Sequence, residues 1–228
     1  MSPAQEAHPE DGRAHRLGRP STPRLSVDKI GHEALALLEE EGFLSLPRLA
    51  ERLGVRQSAF YKHVSSRADI VELARGALSE RVVLGPLSGD LPTLVTQVFD
   101  TLRTTYQSVP ALLPLILVQP VTNLKVLAIY DRIAQALLAA GIPDRFILPA
   151  IEAIDSAAIG AAQDMQTMEN ALKVPDPNAM EFPHLLRAQT ATAQERIDRF
   201  DFLARTLAAG LTATAMPTAT GRPPADAS

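Results

Sequence analysis

The chain has 228 residues, is 46% hydrophobic, contains no cysteine and carries a net charge of −4. That length and apolar content allow one or two domains with a real core, while the absence of cysteine excludes disulfides, thiol catalysis and cysteine metal sites. The five histidines (His8, His15, His32, His63, His184) form no i, i+4 pair, so neither a metal site nor a cofactor is expected.

The opening MSPAQEAHPEDGRAHRLGRP has no apolar core of the kind a secretory leader needs. The longest apolar run, VPALLPLILVQPV, is short and broken by prolines. The expectation is a soluble cytoplasmic protein without a membrane segment. Charge is unevenly spread: residues 1–12 carry three acids and no Lys or Arg, residues 13–81 twelve bases against nine acids, and residues 82–228 ten against fourteen. Positive charge thus collects in the first third, as a surface that releases counterions from DNA requires.

Residues 1–23, rich in Pro, Gly, Arg and Ser, read as a flexible arm. Arg13, Arg16, Arg19 and Arg24 are spaced along it. They suit a minor groove or a phosphate backbone, and equally suit a solvated leader. Ser26 caps a predicted helix running to about Glu41, with Ile30, Ala34, Leu37 and Leu38 at helical spacing and Gly42 as its stop.

Next comes GFLSLPRLAERLGVRQSAFYKHVSSR, residues 42–67, which reads as a helix-turn-helix. Ser45 is expected to cap a first short helix through its side chain, and Leu49, Ala50 and Leu53 give that helix one apolar face. Gly54 supplies the turn, where φ > 0 is tolerated without a Cβ. Val55 and Phe60 tuck a second short helix onto the first, leaving Arg56, Gln57, Ser58, Tyr61, Lys62 and His63 outward, with Arg48 and Arg67 adding charge on either side. Such a density of phosphate- and base-binding groups is what a recognition helix in a major groove requires. The bland alternative is a helical hairpin with a solvated polar face.

A connecting helix follows over residues 67–83, ending near Gly85, with Ile70, Leu73, Ala74, Ala77 and Leu78 as its buried stripe. Prolines then separate apolar helical stretches at about 91–108, 111–118, 122–140 and 144–170, a weaker one near 180–190, and another at 194–213. Strand-like alternation is absent, so the predicted class is all-α. The predicted domains are 1–23 (arm), 24–83 (helix-turn-helix), 84–213 (helical ligand-binding and dimerisation) and 214–228 (tail). In 144–170, Ala157, Ala158, Gly160, Ala161 and Ala162 form a small-residue surface. In 194–213, Ile197, Phe200, Leu203 (or Ala204) and Leu207 form a narrow stripe. Paired across two copies, these helices form a four-helix homodimer interface; alone, they read as ordinary core helices.

The order of a capped helix, G-F, S-x-x-x-LAERLGV, a short helix ending F-Y-K-H-V and a helix opening on a basic residue resembles the DNA-binding domain of the Tet repressor (TetR) family. The likeness covers about residues 24–83 and is specific; the helical remainder is similar in size and layout only. The resemblance implies that Ser45 offers a helix N-terminus to a phosphate, that Gln57 reads a base edge beside Arg56 and Ala59, that Tyr61, His63 and Arg67 hold phosphates, and that Lys62 adds charge or a base contact. Two features depart from the family: the segment between Gly42 and Ala50 is shorter, and Pro47 stands where the Tet repressor has a base-reading arginine.

The expected function is a one-component regulator, usually a repressor. As a homodimer it binds a near-palindromic double-stranded DNA operator and is released by a hydrophobic or weakly polar small-molecule effector. The expected pocket lies among helices 91–108, 111–118, 122–140 and 144–170. Its apolar wall is Leu102, Tyr106, Leu115, Met165 and Met168, although the two methionines also suit plain core filling, and Asn123 and Gln163 are its polar anchors. His184 reads as a ligand contact or as surface. An enzyme with an incidental helix-turn-helix fares badly, since no Gly-rich phosphate loop, thiol, metal cluster or Ser–His–Asp arrangement is legible. A DNA-binding or partner-recruiting protein without a ligand is the remaining alternative, and an enclosed cavity separates the two.

Overall fold

The computed structural model describes residues 25–87, 89–164, 182–195 and 198–215, and among these it is helical without a strand. Helix α1 (Val27–Glu41) starts where the Ser26 hydroxyl accepts the Lys29 N–H at 3.2 Å and stops at Gly42, whose φ of 75° lets its N–H reach the Leu38 carbonyl. Helix α2 (Leu46–Leu53) ends the same way at Gly54, φ 64°.

Helix α3 (Arg67–Ser79) opens on a reciprocal cap: the Ser66 hydroxyl accepts the Asp69 N–H, and the Asp69 carboxylate accepts the N–H groups of Ser65 and Ser66. It stops at Ser79, short of the Gly85 expected from sequence. There the Ser79 hydroxyl bonds back to the Gly76 carbonyl at 2.6 Å, and the β-branched pair Val82, Val83 runs on without helix. α1 and α3 cross closely, because Gly31 has no Cβ to strike the Leu73 carbonyl oxygen, which would lie 2.6 Å away.

Helix α4 (Leu91–Gln107), capped by Asp90 onto the Thr93 N–H at 2.9 Å, is the post of the second half. Its Val95, Val98, Phe99 and Leu102 are buried against α6 (Leu124–Ala139), α7 (Asp144–Asp164) and α9 (Arg199–Ala215). The stretch expected as one helix over 111–118 is instead a 3-10 turn, Pro110–Leu112, followed by a single turn, α5 (Leu113–Ile116). Pro110 and Pro114 each remove a backbone donor and prevent a longer helix. Helix α8 (Pro183–Glu195) covers the weaker stretch expected near 180–190 and is mostly exposed, with Phe182 and Leu185 about half open to solvent. One continuous cluster of buried side chains runs from Ile30 on α1 through Phe99 on α4 to Ala208 on α9.

α7 is long and apolar enough to cross a membrane by composition, with a mean hydropathy of 1.2. However, 44% of that window is buried inside the protomer, as in a core helix.

Candidate nucleic-acid interface and internal cavity

Gly54 turns the chain so that Val55 donates its N–H to the Ala50 carbonyl at 3.0 Å, and residues Gln57–Lys62 come out on the far side of α2. They form a 3-10 helix, not the α-helix expected. Bonds from Ala59 N–H to the Arg56 carbonyl (2.8 Å) and from His63 N–H to the Phe60 carbonyl (2.7 Å) close three-residue turns. Six residues holding Ser, Phe and Tyr are too short and too weak in propensity to impose the wider turn. Phe60, 1% exposed, is the anchor beneath.

Arg56, Gln57, Ser58, Tyr61, Lys62 and His63 are all exposed, so the structure brings together the central part of the sequence-expected set. No described carboxylate pairs with Arg56 or Lys62. Other cations of this half are neutralised: Arg52 by Glu33 and Glu40, Arg81 by Glu39. The charges of Arg56 and Lys62 are therefore left uncompensated at the 3-10 helix.

Other members of the expected set stand differently. Ser45 is the N-cap of α2, but its side chain makes no capping bond. Arg48 is held by Glu41 and Glu51, both at 2.9 Å, and offers no free charge. Arg67 is exposed yet donates to the Leu44 carbonyl at 3.2 Å, tying the start of α3 to the entry of α2. Arg19 and Arg24 lie outside the described residues.

The expected ligand residues divide as well. Leu102 and Tyr106 line an internal cavity with Arg75, Leu78, Val126 and Tyr130, where α3, α4 and α6 meet. Its volume is about 20 Å³, room for about one water. A drug-size void is thus not pre-formed around these residues. Leu115 packs half-buried on the core away from the cavity. Asn123 is no ligand anchor. Its side chain caps α6 by accepting the Lys125 N–H at 3.0 Å and donates to the Glu72 backbone carbonyl at 3.2 Å, in space that Gly76 leaves by having no Cβ. Gln163 is exposed at the end of α7, and Met165 and Met168 lie outside the described residues. His184 is exposed on α8, 2.9 Å from Arg187.

Polar groups that the sequence pattern did not single out sit behind this cavity. The Tyr106 hydroxyl donates to Asp155 at 2.6 Å, and Tyr130 lies near that carboxyl. Burial pushes the Asp155 carboxyl above the usual carboxylate range and pushes both tyrosines well above theirs. Arg75, 7% exposed, lies 3.0 Å from Glu72 and donates to the Ile116 carbonyl at 2.7 Å and the Gln119 carbonyl at 3.4 Å. The second Glu72 oxygen accepts the N–H groups of Thr122 (3.0 Å) and Asn123 (3.2 Å). One pair on α3 therefore grips both the end of α5 and the start of α6. An acid inside the apolar run AIDSAAIG and an E-x-x-R within a buried stripe were the available signals.

The surfaces expected to pair two copies are partly used within one. Ala158, Ala161 and Ala162 are buried in the protomer, and Phe200, Leu203 and Leu207 rest on its core. Ile197 lies outside the described residues. What the two helices leave open is another face: Leu148, Ser156 and Gly160 on α7, and Phe202, Thr206 and Ala209 on α9.

No protein-family model matches the chain. A sequence relative from Saccharopolyspora erythraea, described as an HTH-type transcriptional regulator, is 28% identical over 209 residues, covering 85% of this chain and 87% of the relative. Among solved structures, ActR, a TetR family protein of Streptomyces coelicolor in complex with (S)-DNPA, aligns with a TM-score of 0.72 and 21% identity over 85% of this chain and 100% of that one. The transcriptional regulator SCO7222, a TetR from Streptomyces coelicolor, aligns with a TM-score of 0.60 and 25% identity over the same shares. With Gly54 presenting an exposed polar segment on this shared fold, the chain has the fold of TetR family proteins and is similar to DNA-binding transcriptional regulators.

Proposed function

We propose that this regulator is a repressor that binds a palindromic operator as a homodimer and leaves it when a small molecule enters the second half of the chain. The observation that carries the DNA contact is the exposed run Arg56, Gln57, Ser58, Tyr61, Lys62 and His63, whose two permanent cations have no described intramolecular partner. Gln57 reads a base edge, Arg56 and Lys62 hold phosphates, and Tyr61 and His63 donate to the backbone. Arg67 holds a phosphate only by leaving the Leu44 carbonyl. Arg19 and Arg24 extend the contact along the arm.

A homodimer is supported by the open faces of α7 and α9, where Phe202 and Leu148 are 60% and 70% exposed beside small residues. A small-molecule effector is supported by the cavity lined by Leu102 and Tyr106 and by its neighbour Arg75, which ties α3 to α5. Entry of a ligand there acts on the helix that carries the DNA-binding half. ActR, of the same fold, is seen with (S)-DNPA and with actinorhodin, and a TetR variant from Acinetobacter baumannii with minocycline.

Selection from random DNA at moderate salt tests the central claim. A palindromic site is expected, bound less tightly as salt rises. Gln57→Ala is expected to relax preference at one base position in each half-site by about 1–3 kcal/mol. An unchanged preference refutes the reading role of Gln57, and recovery of no preferred site refutes the regulator as an operator reader.

A further inference from the structure

Three ionisable side chains meet behind the cavity: Glu72, Arg75 and Asp155, two acids and one base. Arg75 is matched by Glu72 at 3.0 Å, and its Nη2 is taken up by the Ile116 and Gln119 carbonyls. Asp155, on which Arg75 also acts without forming an ion pair, is left as the surplus charge beside the Tyr106 hydroxyl. A carboxylate taken out of water without a cation of its own is costly, and burial indeed opposes its ionisation.

Because the Tyr106 hydroxyl gives its proton to Asp155, what it presents elsewhere is an acceptor oxygen and a ring face. Tyr130, the other tyrosine on the cavity wall, lies near the same carboxyl. Arg75 also lines the cavity, but its charge is matched by Glu72 at 3.0 Å. What remains are tyrosine oxygens with Asp155 behind them, two aromatic faces and walls of Leu78, Leu102, Val126 and Ile129, which favour a positive charge carried on an apolar body.

The cavity is about 20 Å³ and does not hold such a body as it stands. A surface cleft of about 470 Å³, lined by Arg81, Val83, Asp100, Thr101, Thr104 and Ser108, shares Thr105 with it. The Thr105 hydroxyl is turned back onto the Thr101 carbonyl at 2.8 Å.

We propose that the cavity is the head-group site for a lipophilic cation, an alkyl- or arylammonium that enters past Thr105 and seats its charge against Tyr106 and Tyr130 in front of Asp155. The proposal rests on the ligand-response reading above and specifies its chemistry. The compensating charge supplies what the buried cluster lacks, and the apolar tail occupies the widened cleft.

The experiment compares benzyltrimethylammonium with its uncharged isostere neopentylbenzene, by equilibrium dialysis against the full-length protein near neutral pH. The cation is expected to bind at least tenfold more tightly than the isostere. Asp155→Asn is expected to bring the two within about threefold of each other by weakening the cation alone. Equal binding of both probes to the wild type overturns the charge rule while leaving a ligand-responsive pocket, and so does a cation preference that survives Asp155→Asn. Binding of neither probe overturns the site as well. If Asp155→Asn does not fold, the wild-type comparison decides by itself. The DNA selection described above is independent of both probes and reports separately on the regulator.

Discussion

Removing the Glu72 carboxylate should detach the two halves of the protein from each other. Glu72 is 9% exposed, lies 3.0 Å from Arg75 and accepts two backbone N–H groups at the start of α6. The pair is a charge contact, since Arg75 Nε and Glu72 Oε1 are close but not aligned as a hydrogen bond. Glu72→Gln keeps an acceptor for Thr122 and Asn123 but loses the charge, costing about 1–3 kcal/mol. Glu72→Ala also leaves Arg75 buried without its partner, and breaking a buried pair from one side costs about 3–5 kcal/mol. For a chain of this size each kcal/mol lowers Tm by roughly 2–4 °C, so Glu72→Ala is expected to melt roughly 6–20 °C below the wild type. The assay is thermal and urea unfolding of the full-length protein at one fixed concentration, because dimer formation makes Tm concentration-dependent. The double variant Glu72→Met, Arg75→Met removes both charges. It should recover part of the loss but not all, since the Ile116 and Gln119 carbonyls lose their donor. If Glu72→Ala stays within about 0.5 kcal/mol of the wild type, or the two single losses simply add, the pair is not a coupled clamp.

Other perturbations follow from single contacts. The His32 ring donates to the Asp28 carbonyl at 2.8 Å and meets Glu80 at 3.0 Å, which together hold its pKa above the ordinary histidine value; Lys125, facing it, opposes this. A raised folded-state pKa means the contribution is full below the unfolded value of about 6.5 and is lost as pH rises through the folded one, so stability should slip as pH rises above about 6.5. Both partners are half-exposed, so the slip is well under about 1 kcal/mol, and a Tm-against-pH curve for His32→Gln that parallels the wild type would remove the effect altogether. Gly31→Ala places a Cβ against the Leu73 carbonyl and should cost about 1–3 kcal/mol by prising α1 from α3, whereas unchanged urea unfolding would mean the crossing relaxes freely. On the open face of α7, Gly160→Leu meets nothing within 4 Å in the protomer, so it and Phe202→Asp on α9 should leave the protomer folded but monomeric by light scattering. Ala158→Arg, at 0% exposure, should unfold the protomer; a dimeric Phe202→Asp would place the interface elsewhere.

What was legible from sequence is what acts over a few residues. Ser26, Gly42, Gly54 and Asp90 each cap or turn the chain within four residues of themselves, and the helix-turn-helix is built from such signals, so its boundaries and its exposed face were readable. Ser45 has the right type at the right place, yet its hydroxyl makes no capping bond. The recognition segment came out as a 3-10 helix because six residues do not carry enough bonds to decide between two turn pitches. The contacts that were missed all span long stretches of chain. Glu72 meets Thr122 across 50 residues, Arg75 meets Ile116 across 41, and Tyr106 meets Asp155 across 49. Each of these residues lies in a stretch whose periodicity is apolar, so a charge there reads as an exception with no stated partner. Asn123 shows the effect of that blindness: as a polar residue between apolar helices it looked like a ligand anchor, yet its amide is consumed in capping α6 and holding α3. The same three long-range contacts join α3, which leads from the DNA-binding half, to α5 and α6, and join α4 to α7 at the cavity wall. A change in how Arg75 is satisfied at the cavity therefore acts on α3 itself, through bonds to Ile116 and Gln119 that are too far apart in sequence to be read and too buried to be made by solvent instead.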